Sequence, residues 1–198
     1  MSSDNLETRE RILQSAWKLL EDGTASAVRM SDIAKAAGVS RQAVYLHFPK
    51  RAELLVAMTR YLDEVKNVDG RLEKSRGARS GRDRLDAFVE AWGNYIPEIY
   101  GVAKALLAMK DTDLEAEMAW NNRMEAVRQG CEAAVRDLKR DGDLMDGLTQ
   151  KQATELLWML LSVRNWEQLT RECGWSQKQY IKLVKSAARR MLVVQQAG

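Results

Sequence analysis

The sequence predicts an all-α protein, and three observations carry that reading. Apolar residues recur at spacings of three and four through most of the 198 residues, the signature of helices with one buried face. Only two prolines, Pro49 and Pro97, interrupt the chain. No stretch of useful length alternates β-branched and polar residues as a strand would. The length allows one large or two small domains. A hydrophobic content of 45% supplies a packed core, and a charged content of 30% supplies a solvated surface. No apolar run approaches the roughly 20 residues that span a bilayer, and the start MSSDNLETRE is too acidic for a signal peptide. A cytoplasmic protein is expected, with Cys131 and Cys173 as reduced, buried thiols without metal-ligand spacing.

The elements follow in order. Ile12, Leu13, Ala16, Trp17 and Leu20 form the stripe of a first helix, capped by Asp4 and closed near Gly23. Met30, Ile33, Ala34 and Ala37 form a second, ending at Gly38, where the absence of a Cβ permits the left-handed conformation. Ser40 then offers a hydroxyl to the free amides of a third helix, about Ser40 to His47. That helix is too short to be stable alone, so Val44 and Phe48 must hold it against its neighbours. A fourth helix is expected over about 50 to 72, and the Lys-, Arg-, Gly- and Ser-rich stretch 74 to 84 reads as a solvated loop. Further helices are expected over 82 to 100, 101 to 110, about 113 to 140, 149 to 173 and 176 to 195. No internal repeat is evident.

The second and third helices make a helix-turn-helix, whose second member enters a DNA groove. From Ile33 to Arg51 there is no acidic residue, while Lys35, Arg41, Lys50 and Arg51 are basic, a local imbalance more telling than the net charge of +3. Base contacts come from the start of such a helix, which nominates Arg41 and Gln42, with Ala43 against a thymine methyl. Ser40, Tyr45, His47, Lys50 and Arg51 are expected on phosphates, setting register without reading sequence.

The segment DIAKAAGVSRQAVYLHFPKRAELL, residues 32 to 55, resembles the DNA-binding signature of the TetR family of bacterial transcriptional regulators. The resemblance covers roughly residues 6 to 58 and rests on the Ala-Gly-Val-Ser, Tyr-x-His-Phe and following basic-x-x-Leu elements. Two positions depart from it. Arg29 stands where the family has a small hydroxyl residue, so that either Ser31 or Ser26 caps the second helix, or Arg29 itself reaches a phosphate. Arg51 replaces the family's lysine and adds a forked guanidinium. The resemblance implies a helix-turn-helix domain over residues 1–50, a linking helix over 51–73, and a helical effector-binding and dimerisation domain over 74–198. It implies a homodimer on a double-stranded palindromic operator, most simply a repressor released by a small molecule, with no cofactor and no membrane partner.

Within the second domain, Trp92, Tyr95, Met109, Trp120, Met124 and Trp158 are nominated for the effector, because they lie on the helices with which such proteins wall their cavity. Their apolar bodies and few polar tips suit a largely apolar or aromatic ligand. The dimer seam is assigned to Leu157, Leu161, Val184 and Met191 on the last two stripes. His47 stands alone, with no acidic or Cys cluster near it in sequence, and no nucleophile elbow, phosphate loop or metal-binding helix is present. An enzyme is therefore not expected. The run Asp111, Asp113, Glu115 and Glu117 reads as carboxylates at a helix start. The rival reading is a helical small-molecule-binding or protein-interaction module without a DNA role, which has no reason to keep Ile33 to Arg51 free of acids.

Overall fold

The apolar stripes are laid down as helices in a computed structural model that describes residues 3–23 and 28–195. They are α1 (Ser3–Glu21), α2 (Met30–Ala37), α3 (Arg41–His47), α4 (Arg51–Val65), α5 (Val68–Arg76), α6 (Gly81–Met109), α7 (Leu114–Arg140), α8 (Gln150–Leu160), α9 (Val163–Glu167) and α10 (Gln177–Leu192). A π-helical turn, Gln168–Glu172, follows α9. Among the described residues there is no strand, only an isolated bridge between Leu144 and Val193. None of these helices is long and apolar enough to cross a membrane.

Two compact units are present. The first runs to Lys66 and takes in Ile99–Met124, the C-terminal part of α6 and the N-terminal part of α7. In it α1 packs on α2 and α4, and α2 on α3. Ile12, Leu13, Ile33, Val44, Leu54, Leu55 and Met58 are fully enclosed, so the stripes read from the sequence are its core. Gly38 adopts φ 64° and ψ 35° and ends α2. Asp4 lies inside the first turn of α1 rather than before it, where its charge still favours the helix dipole. Arg29 occupies the cap position of α2, and its amide donates to the Asp32 carboxylate at 3.4 Å. Ser31 therefore sits within the helix, and Ser26 lies outside the described residues.

The second unit comprises Asn67–Glu98 and the chain from Glu125 onward. Its core gathers Leu85, Val89, Tyr95 and Ile96 of α6, Cys131, Val135 and Leu138 of α7, Leu157 of α8, and Tyr180 and Leu192 of α10. At Gly130 a Cβ would run into the Phe88 ring, so close approach of α7 to α6 requires glycine there. Burial pushes the Cys131 thiol up to about 12. Cys173, expected to be buried, is exposed, because it follows the π-helical turn at the start of a surface bend.

Several helix boundaries differ from expectation, each for a local reason. The helix expected over 50 to 72 breaks at Asn67, which takes a left-handed backbone (φ 52°, ψ 50°) and accepts from the Gly70 amide at 3.2 Å to start α5. Asparagine tolerates that conformation better than other residues with a Cβ. Helix α5 then extends to Arg76, so the expected loop shrinks to a short turn before Gly81. Three of its cations are engaged within the unit: Arg76 with Asp69 at 2.8 Å, Arg82 with Asp143 at 2.7 Å, and Arg84 with Asp137 at 2.7 Å.

The two helices expected over 82 to 110 are one, with Pro97 inside it. Proline cannot donate to the carbonyl four residues back, which is that of Gly93. Gln177 of α10 donates its side-chain amide to this oxygen at 2.8 Å, and the helix continues. The helix expected over 149 to 173 ends at Leu160, and Ser162 caps α9 by accepting from the Arg164 amide at 3.2 Å.

Candidate nucleic-acid interface and effector pocket

The short helix α3 is built by its own cap and one buried stripe. Ser40 Oγ accepts from the Ala43 amide at 3.0 Å. Val44 is fully enclosed and Phe48 nearly so, with the Arg9 guanidinium of α1 over the Phe48 ring at 5.2 Å. Everything else on α3 is turned outward. Arg41, Gln42 and Tyr45 are exposed, and Ala43 and His47 partly so. The Arg41 guanidinium lies over the Tyr45 ring at 5.5 Å and donates to its hydroxyl at 3.4 Å. The pair, four residues apart on one helical face, thus presents a charge already oriented by an aromatic ring.

Arg29, Ser31, Arg41, Tyr45, Lys50 and Arg51 line an open groove of about 590 Å³ beside α3. Ser40 and Lys50 are exposed. The His47 and Phe48 ring centroids lie 6.4 Å apart.

Sequence reasoning passed over Leu46. It is 79% exposed, the largest value among the exposed large apolar side chains of the described residues. It lies one turn from Gln42 on the face that α3 offers to solvent. An apolar side chain held in water on a helix otherwise polar outside is a surface for a thymine methyl or another apolar partner. The signal was present in the sequence: Leu46 falls off the Val44–Phe48 stripe.

Arg51 departs from the phosphate role expected of it. Its side chain is 13% exposed, and Nε donates to the Val28 carbonyl at 2.6 Å. Nη1 donates to both Asp113 oxygens, at 2.8 and 3.0 Å, and to Glu115 at 3.3 Å. Those carboxylates already have work at the start of α7, where Asp113 accepts from the Glu115 and Ala116 amides at 3.1 and 3.2 Å. Glu115 also accepts from the Ala52 amide, at the start of α4, at 3.1 Å. The helix-start reading of the acidic run therefore fits Asp113, and in addition the run holds the first turn of α4. A guanidinium committed to two carboxylates has little charge left for a phosphate.

The residues nominated for the effector are divided. Trp120 and Met124 share a small apolar pocket in the first unit, with Leu62 of α4 and Ile99, Val102 and Leu106 of α6. Its void is about 20 Å³, space for about one water. Thr59, Asp63, Ala103 and Arg123 complete the lining. Asp63 and Arg123 form an ion pair, their side chains 16% and 19% exposed. Met109 is buried in the same unit without lining this pocket.

Trp92 and Tyr95 belong to the core of the second unit, their rings edge to face at 5.9 Å. The indole of Trp92 donates to the Leu161 carbonyl at 2.8 Å, which satisfies its polar tip inside the fold. Trp158 is 38% exposed on α8. The contribution of α4 to the pocket was not foreseen, since nothing in its stripe distinguishes a wall from a core.

Of the four side chains nominated for a dimer seam, Leu157, Leu161 and Val184 are buried within the single chain, and Met191 is half-buried. A side chain with no exposed area has none to give a partner, so these three are core. What α8 and α10 leave open is Trp158, Met159 and Leu183, each 38–49% exposed.

A sequence model described as bacterial regulatory proteins, tetR family, matches residues 12–58, which run from the apolar face of α1 into α4. The HTH-type transcriptional regulator EthR of Mycobacterium tuberculosis is 30% identical over 138 residues, 66% of this chain and 60% of that protein. The HTH-type transcriptional activator FasR of Mycolicibacterium smegmatis is 32% identical over 140 residues, 70% of this chain and 62% of that protein. The chain thus spans only about 60% of the length of these relatives. Native NalD, the secondary repressor of the MexAB-OprM multidrug efflux pump in Pseudomonas aeruginosa, superimposes with a TM-score of 0.70. It is 25% identical, over 98% of this chain and 100% of that one. With the helix-turn-helix matched in sequence and the whole length matched in fold, the chain belongs to the tetR family of bacterial regulatory proteins.

Proposed function

We propose that this chain is a ligand-responsive, DNA-binding transcriptional regulator that acts in the cytoplasm as a homodimer on a palindromic operator. The observation that carries the reading is α3: a capped helix whose solvent face is Arg41, Gln42, Tyr45 and Leu46, beside a groove with Arg29 and Lys50. Arg41 and Gln42 are assigned to base edges, with Ala43 beside them. Arg29, Ser40, Tyr45, His47 and Lys50 are assigned to the backbone. One such helix reads few base pairs, and two-fold pairing doubles the contact. The seam we assign to Trp158, Met159 and Leu183, the apolar side chains that α8 and α10 leave in solvent. Repression is the sign we favour, because NalD, which superimposes over 98% of the chain, is named a repressor; FasR, 32% identical over 140 residues, is named an activator and stands for the opposite sign.

The position of α4 supports release by an effector. Its first turn succeeds α3 and is tied to Asp113 and Glu115, while Thr59, Leu62 and Asp63 further along wall the pocket. A molecule entering the pocket has to part α4 from α6 and α7. It shifts the equilibrium only by as much as it prefers the parted state. No catalytic step is assigned to the chain. The test is binding to duplex fragments selected from random sequence. The expected outcome is a palindromic site, with affinity falling by a log–log slope of about −0.9 per phosphate neutralised. Affinity independent of salt, or no fragment retained at low salt, would remove the reading.

A further inference from the structure

The pocket under α4 carries a charge pattern that restricts what can enter it. Its walls are aliphatic and aromatic, chiefly Leu62, Val102, Leu106 and Trp120, and among the described residues the only charged lining groups are Asp63 and Arg123. These two pair through Arg123 Nη1 and an Asp63 carboxylate oxygen, so the lining is electrically balanced. The Thr59 hydroxyl is already donated to the Val56 carbonyl at 2.9 Å. One buried polar atom of the lining is left over. Arg123 Nε is buried and has no hydrogen-bond partner. A guanidinium presents donors along separate edges. Asp63 uses Nη1, and the Nε edge remains for an acceptor.

We infer that the effector is an uncharged, mainly apolar molecule with one carbonyl-type oxygen, which accepts from Arg123 Nε while Asp63 keeps Nη1. The inference rests on the reading of this pocket as the effector site. An acceptor is required because a buried donor without one is costly, and supplying it makes the bound state the satisfied one. Neutrality is required because the pair already cancels its own charge. A carboxylate brought beside Asp63 would be a second anion in an apolar enclosure, with no further cation among the described residues that line it. Entry also needs the walls to move, since the void is about 20 Å³ and a ligand of this class needs a few hundred. Trp120 and Met124 are the partly exposed walls through which that opening can occur.

The experiment compares three probes of one length, nonan-2-one, nonane and nonanoate, by titration of tryptophan emission, with Trp120→Phe as the control that assigns the signal. The ketone is expected to bind at least tenfold tighter than the alkane and tighter than the carboxylate. Arg123→Lys keeps a cation for Asp63 and removes the Nε donor; it should cut the ketone's advantage over the alkane to less than twofold. Asp63→Leu with Arg123→Met, which leaves neither an unpaired charge nor a side-chain donor if the lysine variant folds poorly, should do the same. If nonanoate binds tightest, or the ketone's advantage survives both variants, the inference about chemistry is wrong while the pocket reading stands. If no probe produces a change that Trp120→Phe abolishes, the pocket reading fails, and the inference with it.

Discussion

At the scale of single residues, Arg51 shows how chemistry suggested by type is redirected by neighbours. A forked guanidinium in a basic segment suits a phosphate, yet here it is enclosed with two carboxylates and a backbone carbonyl. Breaking such an enclosed pair strands the remaining charges. Arg51→Ala is accordingly expected to lower unfolding free energy by on the order of 3 kcal/mol, read by urea denaturation. The salt dependence of DNA binding should stay as it is, whereas a residue on a phosphate would change that slope by about 0.9. On α3 the expectation is the reverse. Gln42→Ala and Leu46→Ala should each relax preference at one position per half-site, at a cost of about 1–3 kcal/mol on the best operator. Lys50→Ala should weaken every sequence alike. Selection of binding sites by each variant checks all three, and a Leu46 variant with unaltered preference would return that side chain to plain surface.

At the scale of elements, the continuity of α6 is decided by another helix. Pro97 withholds the hydrogen bond that the Gly93 carbonyl needs, and Gln177 supplies it from α10. Gln177→Ala should cost about 1–3 kcal/mol, the penalty for a buried acceptor left unsatisfied, in addition to what its bond from the Trp166 indole contributes. Pro97→Ala restores a backbone donor to the same oxygen. Combined with Gln177→Ala it should recover part of the loss, and a double-mutant cycle on melting curves measures how much. Strict additivity of the two changes would show that the Gly93 carbonyl is not their meeting point. By contrast, the start of α3 is set locally: Gly38 and Ser40 define it within a few residues.

At the scale of the whole molecule, the proposed dimer separates side chains that the sequence groups together. Leu157 and Trp158 are adjacent on α8, yet one is enclosed and the other is 38% exposed. Trp158→Arg combined with Leu183→Glu should give a folded monomer with operator binding much weakened, seen by sedimentation at micromolar concentration. Leu157→Asp should instead unfold the second unit, since it places a charge in a packed core. Circular dichroism distinguishes the two results. A doubly substituted protein that still sediments as a dimer would move the seam elsewhere.

The sequence by itself determined the all-helical class, the turn at Gly38, the cap at Ser40 and the outward set Arg41, Gln42 and Tyr45. These depend on backbone conformation and side-chain periodicity, which act over a few residues and can be read from neighbours in the chain. The tertiary structure alone decided that Arg51 meets carboxylates 62 and 64 residues away, and that Pro97 is tolerated through a glutamine 84 residues beyond Gly93. It also decided that the pocket draws on α4, and that Leu157, Leu161 and Val184 face inward. An apolar stripe specifies that a helix buries one face, but not whether the covering surface is its own chain, a second chain or a ligand. That choice is made only when distant segments are packed against one another.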